Sequence, residues 1–527
     1  MIKNRLKLLI KKAIKKAQRA GKLPQFKIPE IELETPKIEK YGDYSSPIAL
    51  KVKIEKKDPI EIAKIIASFI ESPYLQEIKV EKPGFINFFL KEDFFYKELK
   101  NILRSKNKYG TNNLGRGKKV QIEFLSANPT GPLTLGNGRG AFFGDVLANI
   151  LEKSGYKVQR EYYINDMGTQ VELLGKSIKA ALQLYKKEEN FYKGEYINNL
   201  AKRIKKTEAE KLSDLRLGQL VGELILKEFI KPTVKKAKVK FDKWFKESDL
   251  YKKKEVKKFL NFLKEKKLLV YKEGAIWLFD WVLIKKDLKP TYFLSDLVYH
   301  LNKEKRGFDW IIDIWGADHA GHKERLEFLL KKLKFKPKLD IIIYQLVRLV
   351  EGKKEVKISK RKGTYVTLDW LLKEVGQDVC RFFFLIYGPN THLDFDLKLA
   401  KERSSKNPVY YVQYAYARIR SILRKSKIKN LDSKFLHLLK EKSELDLIKE
   451  LIKFPDLVME AASELAPYKL PFYSISLADK FHQFYESCKV LSENKKLTKA
   501  RLALVKATEI VLRELLKLMG ISSPSKM

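Results

Sequence analysis

The chain has 527 residues, and Lys+Arg outnumber Asp+Glu by 108 to 65, for a formal net charge of +43. That length excludes a single domain of ordinary size, and a surplus this large repels itself unless it meets a polyanion, which points to nucleic acid. Lysines spread along the whole chain are also what a generally Lys-rich surface looks like.

Two cysteines (Cys380 and Cys488) and six scattered histidines, with no CxxC or HxxxH pair, exclude a zinc framework and a disulfide scaffold. No stretch is long and apolar enough to span a bilayer, so no membrane role is expected and the reducing cytoplasm is the expected location. The N-terminus is basic and free of acids, as an organelle presequence would be. However, Ile2, Leu6, Leu9, Ala13 and Ala17 fall at helical spacing, so it reads as the first helix of the fold.

"YGDYSSPIALKVKI" and "KVEKPGFINFFL" read as short strands around Gly and Pro turns. Between them "DPIEIAKIIASFIE" reads as a helix begun by Asp58 with Pro59 in its first turn. The polar, Gly-rich "NKYGTNNLGRGKK" is the best linker candidate, closing a small α/β domain. Then come a buried-strand pattern "VQIEFLS", the loop "SANPTGPLTLGNGRG", the amphipathic "GAFFGDVLANILEKSGY" ending at Gly155, and a second strand "KVQREYYIND". Strand, glycine turn, helix and strand in this order open a parallel nucleotide-binding sheet.

Residues from about 171 to 290 read mostly as charged helix, an insertion between two halves of the sheet, with "VKVKFDKWF" ambiguous. α/β patterning returns with "FDWIIDIWGADHAGHKERLEFLL" and "LDIIIYQLVRLVEG". From about Leu399 only helical periodicity remains. No internal repeat is present.

A loop that leaves a strand and opens a helix presents unpaired N–H groups and the positive end of the helix dipole, which favour phosphate. Gly136, Gly138 and Gly140 would let backbone approach a ligand closely. Such turns are often merely structural, and this loop alone leaves both readings open. Further on, "VKISKRKGTYVTL" sets Lys357, Lys360, Arg361 and Lys362 around a Ser and a Gly before a helix, a basic loop able to clamp a triphosphate.

K-I-S-K-R resembles the KMSKS signature of class I aminoacyl-tRNA synthetases, and "TLGN" at 134–137 looks like the companion HIGH signature with both histidines replaced. "IEFLSANPTGPL", "REYYINDMGTQ", "FDKWFKESDLY", "PTYFLSDLVYH", "WGADHAGHKERL", "HLDFDLKLAKERSSKNPVYYVQYAYARI" and "ARLALVKATEIVLRELLKLMGISSPSKM" resemble the arginyl-tRNA synthetase family. The N-terminal pieces "YGDYSSPIAL" and "PGFINFFL" do so as well. The likeness covers essentially the whole chain, in order.

The resemblance implies an α/β plus all-α protein in three parts. These are a small N-terminal α/β tRNA-binding domain (1–108), a Rossmann-type parallel-sheet catalytic core with its insertion (109–402), and a C-terminal helical bundle for the anticodon (403–527). It implies formation of arginyl-adenylate from arginine and ATP, accompanied by Mg2+ and without a structural metal, then transfer to tRNA(Arg) by a protein expected to be a monomer. Thr134, Gly136, Asn137, Lys357 and Lys360 would be catalytic; these five, with Gly138, His319 and Ser359, would bind ATP. Thr134 and Asn137 keep a hydrogen-bond donor at each replaced histidine, though neither can become cationic.

For arginine, Tyr292 and Asp296 stand four apart, on one face if helical, and the resemblance assigns them with Glu247 to the guanidinium. Glu123 and Asn128 would lie near the amino-acid head group, with Asp318 at the far side of the pocket. Tyr292 could equally be a core aromatic. Lacking a third ligand, His319 and His322 are expected to line the site or be structural. Tyr410, Tyr411, Tyr414 and Tyr416, interleaved with Gln413, Arg418 and Arg420, suit unpaired bases, though spacing of three and four also buries one face. From this set Tyr411, Gln413, Tyr414 and Arg418 are expected to touch tRNA. The alternative is a catalytically silent tRNA-binding protein on a synthetase scaffold, motivated by the missing histidines.

Overall fold

The computed structural model describes residues 2–54, 57–352, 354–355, 366–426 and 433–527. The first helix, Ile2–Arg19, buries Ile2, Leu6, Ile10, Ala13, Ile14 and Ala17, the apolar stripe visible in the sequence. β1 (Tyr44–Ser46), β2 (Leu75–Glu81) and β3 (Phe85–Leu90) form an antiparallel sheet in the order β1-β3-β2. The helix Pro59–Ser68 is capped by Asp58, whose carboxylate accepts from the Ile60 N–H at 2.8 Å. The strand expected through "YSSPIALKVKI" stops at Ser46, and Ile48–Lys51 turn as a short helix after Pro47. The linker candidate is in fact packed: Tyr109 is buried and stacks on Phe454 of the C-terminal helices with ring centroids 6.2 Å apart. Composition marks a loop there, but only tertiary contact decides whether a loop is loose.

The central sheet is wholly parallel. β4 (Lys119–Glu123), β5 (Lys157–Ile164) and β6 (Lys243–Lys246) lie side by side. After β6 a small antiparallel sheet intervenes, formed by β7 (Leu269–Lys272), β8 (Ala275–Leu278) and β9 (Trp281–Ile284). β10 (Trp310–Gly316) and β11 (Lys338–Tyr344) then complete the order β11-β10-β4-β5-β6. Residues 171–290 are therefore not a pure insertion, because β6 lies inside that span and is the edge strand of the core. Its sequence Lys-Trp-Phe-Lys buries only Phe245 fully, too little alternation to declare a strand. Val120, Ile122, Ile311 and Ile312 fill the sheet interior. A last sheet, β12 (Val347–Glu351), β13 (Lys354–Glu355) and β14 (Leu393–Asp396), precedes the helical part.

The C-terminal helices include Pro408–Lys425, Lys442–Ile452, Phe454–Ser463, Lys469–Ser487 and Lys495–Met519. The last buries side chains around its whole circumference, as a central bundle helix does. Among the described residues, no helix is long and apolar enough to cross a membrane.

Candidate functional site

The chain moves from β4 to β5 on one side and returns to β10 on the other side of β4. In an open parallel sheet, the crevice beyond the strand ends at such a reversal is where ligands bind. A cavity of about 570 Å³ lies there, lined by Asn128, Thr134, Asn137, Asp318, His319 and Tyr344 among others. Just past β4, Leu125 and Ser126 adopt φ of +70° and +32°, backbone that non-glycine residues hold only under tertiary constraint. Two bonds supply that constraint. Ser126 Oγ accepts from the Tyr163 N–H at 3.0 Å, and Tyr162 Oη donates to the Ala127 carbonyl at 2.7 Å.

The helix Leu135–Lys153 starts with Thr134 as its N-cap. Asn137 Oδ1 accepts from Thr134 N at 2.8 Å and from Thr134 Oγ1 at 3.0 Å. The Thr134 hydroxyl, expected to donate to phosphate, thus donates within the cap instead. The Asn137 amide NH2 remains able to donate, and both residues still line the cavity. The glycines also divide. A Cβ on Gly136 would meet only Thr134 Oγ1 at 4.0 Å, which keeps its approach open, whereas one on Gly138 would sit 2.9 Å from Leu368 and 3.1 Å from Phe384. At Gly138 the absence of a side chain is thus required by close packing of the helix. Arg139 makes the same anchorage firmer by donating to the carbonyls of Gln345, Gly388 and Thr391 at 2.6–2.8 Å.

Lys357, Ser359 and Lys360 lie outside the described residues. The residues just beyond them rejoin the chain at the glycine helix: the Val366 carbonyl accepts from Leu135 N at 3.2 Å, Thr367 bridges to Thr134, and Leu368 N donates to the Leu133 carbonyl at 2.9 Å.

The helix Tyr292–Lys305, capped by Thr291, sets Tyr292 and Asp296 one turn apart. Glu247 follows β6 directly and is 3% exposed. Burial pushes its carboxyl up to about 7, with Asp296 and Asp166 adding repulsion. With its amide oriented to satisfy both neighbours, Asn165 donates to Glu247 Oε2 at 2.7 Å. Asp166 accepts from Ser248 N at 2.8 Å and Ser248 Oγ at 2.7 Å. Tyr292 Oη lies 3.4 Å from Thr169 Oγ1 and is half-exposed, not a core aromatic.

Glu247, Tyr292 and Asp296 do not line the cavity itself. Gln170 lines it, and its Oε1 accepts from Asn128 Nδ2 at 2.5 Å. Asp318 (side chain 81% exposed) and His319 (61%) line the cavity from the turn after β10, with Oδ2 and Nε2 3.6 Å apart.

Glu123, expected near the head group, is engaged inside the protein. It ends β4, is buried, and its Oε2 accepts from Lys303 Nζ at 2.8 Å. Lys303, fully buried, also donates to Asp313 Oδ1 at 2.7 Å, and His300 Nε2 lies 2.7 Å from Asp313 Oδ2. Burial raises Glu123 against the pull of Lys303; burial would raise Asp313 too, but Lys303 and His300 draw it down to about 2. Glu123 is thus committed to a buried network, off the cavity wall.

Sequence reading also missed Phe191, Tyr192, Lys193 and Tyr196, which line the cavity. Their only signal was the aromatic, Gly-containing "NFYKGEY" in an otherwise charged stretch.

In the helical part, Tyr411 Oη donates to Asp479 at 2.6 Å, and the Gln413 amide donates to Asp378 at 2.9 Å and to the Ser522 carbonyl at 3.0 Å. These two join elements and lie off the groove wall described next. Tyr414 and Arg418 line an open groove with Tyr485, Lys489 and Lys526. There the Arg418 guanidinium sits 4.7 Å from the ring centroids of both Tyr414 and Tyr485.

Comparison with known proteins gives a consistent result. Residues 4–90 match the family described as arginyl tRNA synthetase N terminal domain, and residues 98–382 match tRNA synthetases class I (R), catalytic domain. Residues 412–527 match the DALR anticodon binding domain. An arginine–tRNA ligase of Carboxydothermus hydrogenoformans is 44% identical over 523 residues, 94% of each chain. A solved structure titled putative arginyl t-RNA synthetase from Campylobacter jejuni is 32% identical, covers 83% of this chain and 100% of that one, and has a TM-score of 0.73. The Plasmodium falciparum arginyl-tRNA synthetase, at 23% identity, covers 100% and 99% with a TM-score of 0.79, and shares the fold.

Proposed function

The chain belongs to the arginyl-tRNA synthetase family, and on that premise we propose that it activates L-arginine with ATP and transfers the arginyl group to the 3′ end of tRNA(Arg). The observation that carries this reading is the acidic group of buried Glu247 with the partly buried Asp296 and Asp166, beside Tyr292. Three carboxyl groups gathered next to one tyrosine suit a planar guanidinium.

In this reading Glu247, Asp296 and Tyr292 hold the guanidinium, while Asn128 at the cavity edge orients the head group. ATP lies along the opening of the glycine helix, where Gly136 leaves room and backbone N–H groups, the Asn137 amide and His319 meet the phosphates. Lys357 and Lys360, with Ser359, neutralise the triphosphate. An arginine carboxylate oxygen attacks the α-phosphorus, the bond to the leaving pyrophosphate breaks, and a ribose hydroxyl of tRNA then attacks the carbonyl and releases AMP. No enzyme nucleophile is needed, so catalysis is positioning and charge stabilisation. Mg2+ travels with the triphosphate. Among the described residues, no three of His, Cys, Asp and Glu gather to hold a cation, and no step is assigned to one. The protein acts in the cytoplasm as a monomer. The helical part takes the anticodon, with Tyr414 and Arg418 on its groove.

Arginine-dependent ATP–pyrophosphate exchange, run with and without tRNA(Arg), tests the reading. Exchange only in the presence of tRNA is expected. Tight tRNA binding with no exchange in either tube would replace it with the catalytically silent alternative.

A further inference from the structure

The Asp296 carboxylate is already held on one side. His322, on the helix Ala320–Lys332, places Nε2 at 2.6 Å from Asp296 Oδ2. The imidazole is itself set in place: Phe293 meets it edge-on with centroids 5.3 Å apart, and the Trp315 ring lies 5.8 Å away. Both partners are about three-quarters buried, so the bond is shielded from most competing water. It also joins two helices that pack against each other, so it does not follow from either helix alone.

A carboxylate that must meet a guanidinium gains from arriving in one rotamer, because a freely turning acid would lose that freedom on binding. We propose that His322 is a positioning residue for arginine recognition: by donating Nε2–H to Oδ2 it fixes the Asp296 carboxylate and leaves Oδ1 to accept from the guanidinium. This deepens the proposed function and rests on its assignment of Asp296 to the guanidinium.

The role predicts which substitutes work. Gln can bring an amide N–H close to the place of Nε2; Asn reaches only as far as Nδ1; Leu fills space without donating. The experiment measures aminoacylation with the full-length protein, taking KM for arginine and for ATP in His322→Gln, His322→Asn and His322→Leu, with Asp296→Asn alongside. His322→Leu and His322→Asn should raise the arginine KM roughly tenfold with the ATP KM within about twofold, and His322→Gln should restore most of the loss.

A normal arginine KM in His322→Leu, while Asp296→Asn is impaired, would overturn the proposal and leave the pocket assignment standing. A normal arginine KM in Asp296→Asn would overturn both. Should His322→Leu fold poorly, Gln against Asn decides: equal arginine KM values in those two would overturn the positioning role.

Discussion

The two halves of the site are built on opposite principles. In the acidic pocket Glu247 is buried, Asp296 and Asp166 are partly so, and all three are already bonded: Glu247 to Asn165, Asp166 to Ser248, Asp296 to His322. On the cavity side, Asp318 and His319 are exposed, and the Thr134–Asn137 pair satisfies itself. Buried acids that repel one another recover their desolvation cost when a cation of the right shape arrives, which makes such a pocket selective. Exposed charges are screened and select weakly. A triphosphate needs less shape selection, so helix N–H groups and basic residues arriving from elsewhere in the chain can serve it. In the proposed reading the nucleotide half draws its cations from Lys357 and Lys360, while the arginine half rests on Glu247, Asp296 and Tyr292.

The largest effect should come from removing the cation assigned to the phosphates. Lys360→Ala should slow adenylate formation on the order of 100-fold or more with an unchanged melting temperature. Near-normal turnover would break the contrast between the halves. Next, Asp296→Asn should raise the arginine KM roughly 100-fold and the ATP KM little; equal effects on both would make Asp296 structural.

The pH dependence of kcat/KM for arginine should be smaller but diagnostic. Burial holds free Glu247 near 7, and guanidinium binds its ionised form. The parameter should therefore fall about tenfold per unit below pH 7 and level off above it. Glu247→Gln should flatten this limb; a limb that persists belongs to another group.

The smallest effect separates packing from nucleotide contact at Gly138. Gly138→Ala would press a methyl on Leu368 and Phe384. It should cost about 1–3 kcal/mol of stability, read by denaturant melts, with ATP KM unchanged. A selective rise in ATP KM would instead place Gly138 in the nucleotide site.

Much of the fold was legible because local signals agreed with one another. The N-terminal stripe, the Asp58-Pro59 start, the strand–glycine turn–helix–strand order and the all-helical end each rest on periodicity or capping that short stretches carry themselves. The four-residue spacing of Tyr292 and Asp296 likewise needed only a helix to be realised. Elements whose identity depends on a neighbour were not legible. β6 is a strand because β5 pairs with it, and the linker candidate is packed because Phe454 reaches Tyr109.

What the sequence determined by itself was therefore the kind of protein and the residue types its chemistry needs: a basic, multi-part chain with a strand-to-helix glycine loop and acids at helical spacing. Tertiary structure alone decided which of those residues are free to act. Thr134 and Asn137 face each other, Glu123 is bound to Lys303 from 180 positions away, Tyr411 and Gln413 brace helices, and His322 reaches Asp296 across a gap of 26. The reason is physical. Hydrogen-bond directions and desolvation depend on atoms brought close by folding, and a side chain's type states what it can do but not which partner has already engaged it.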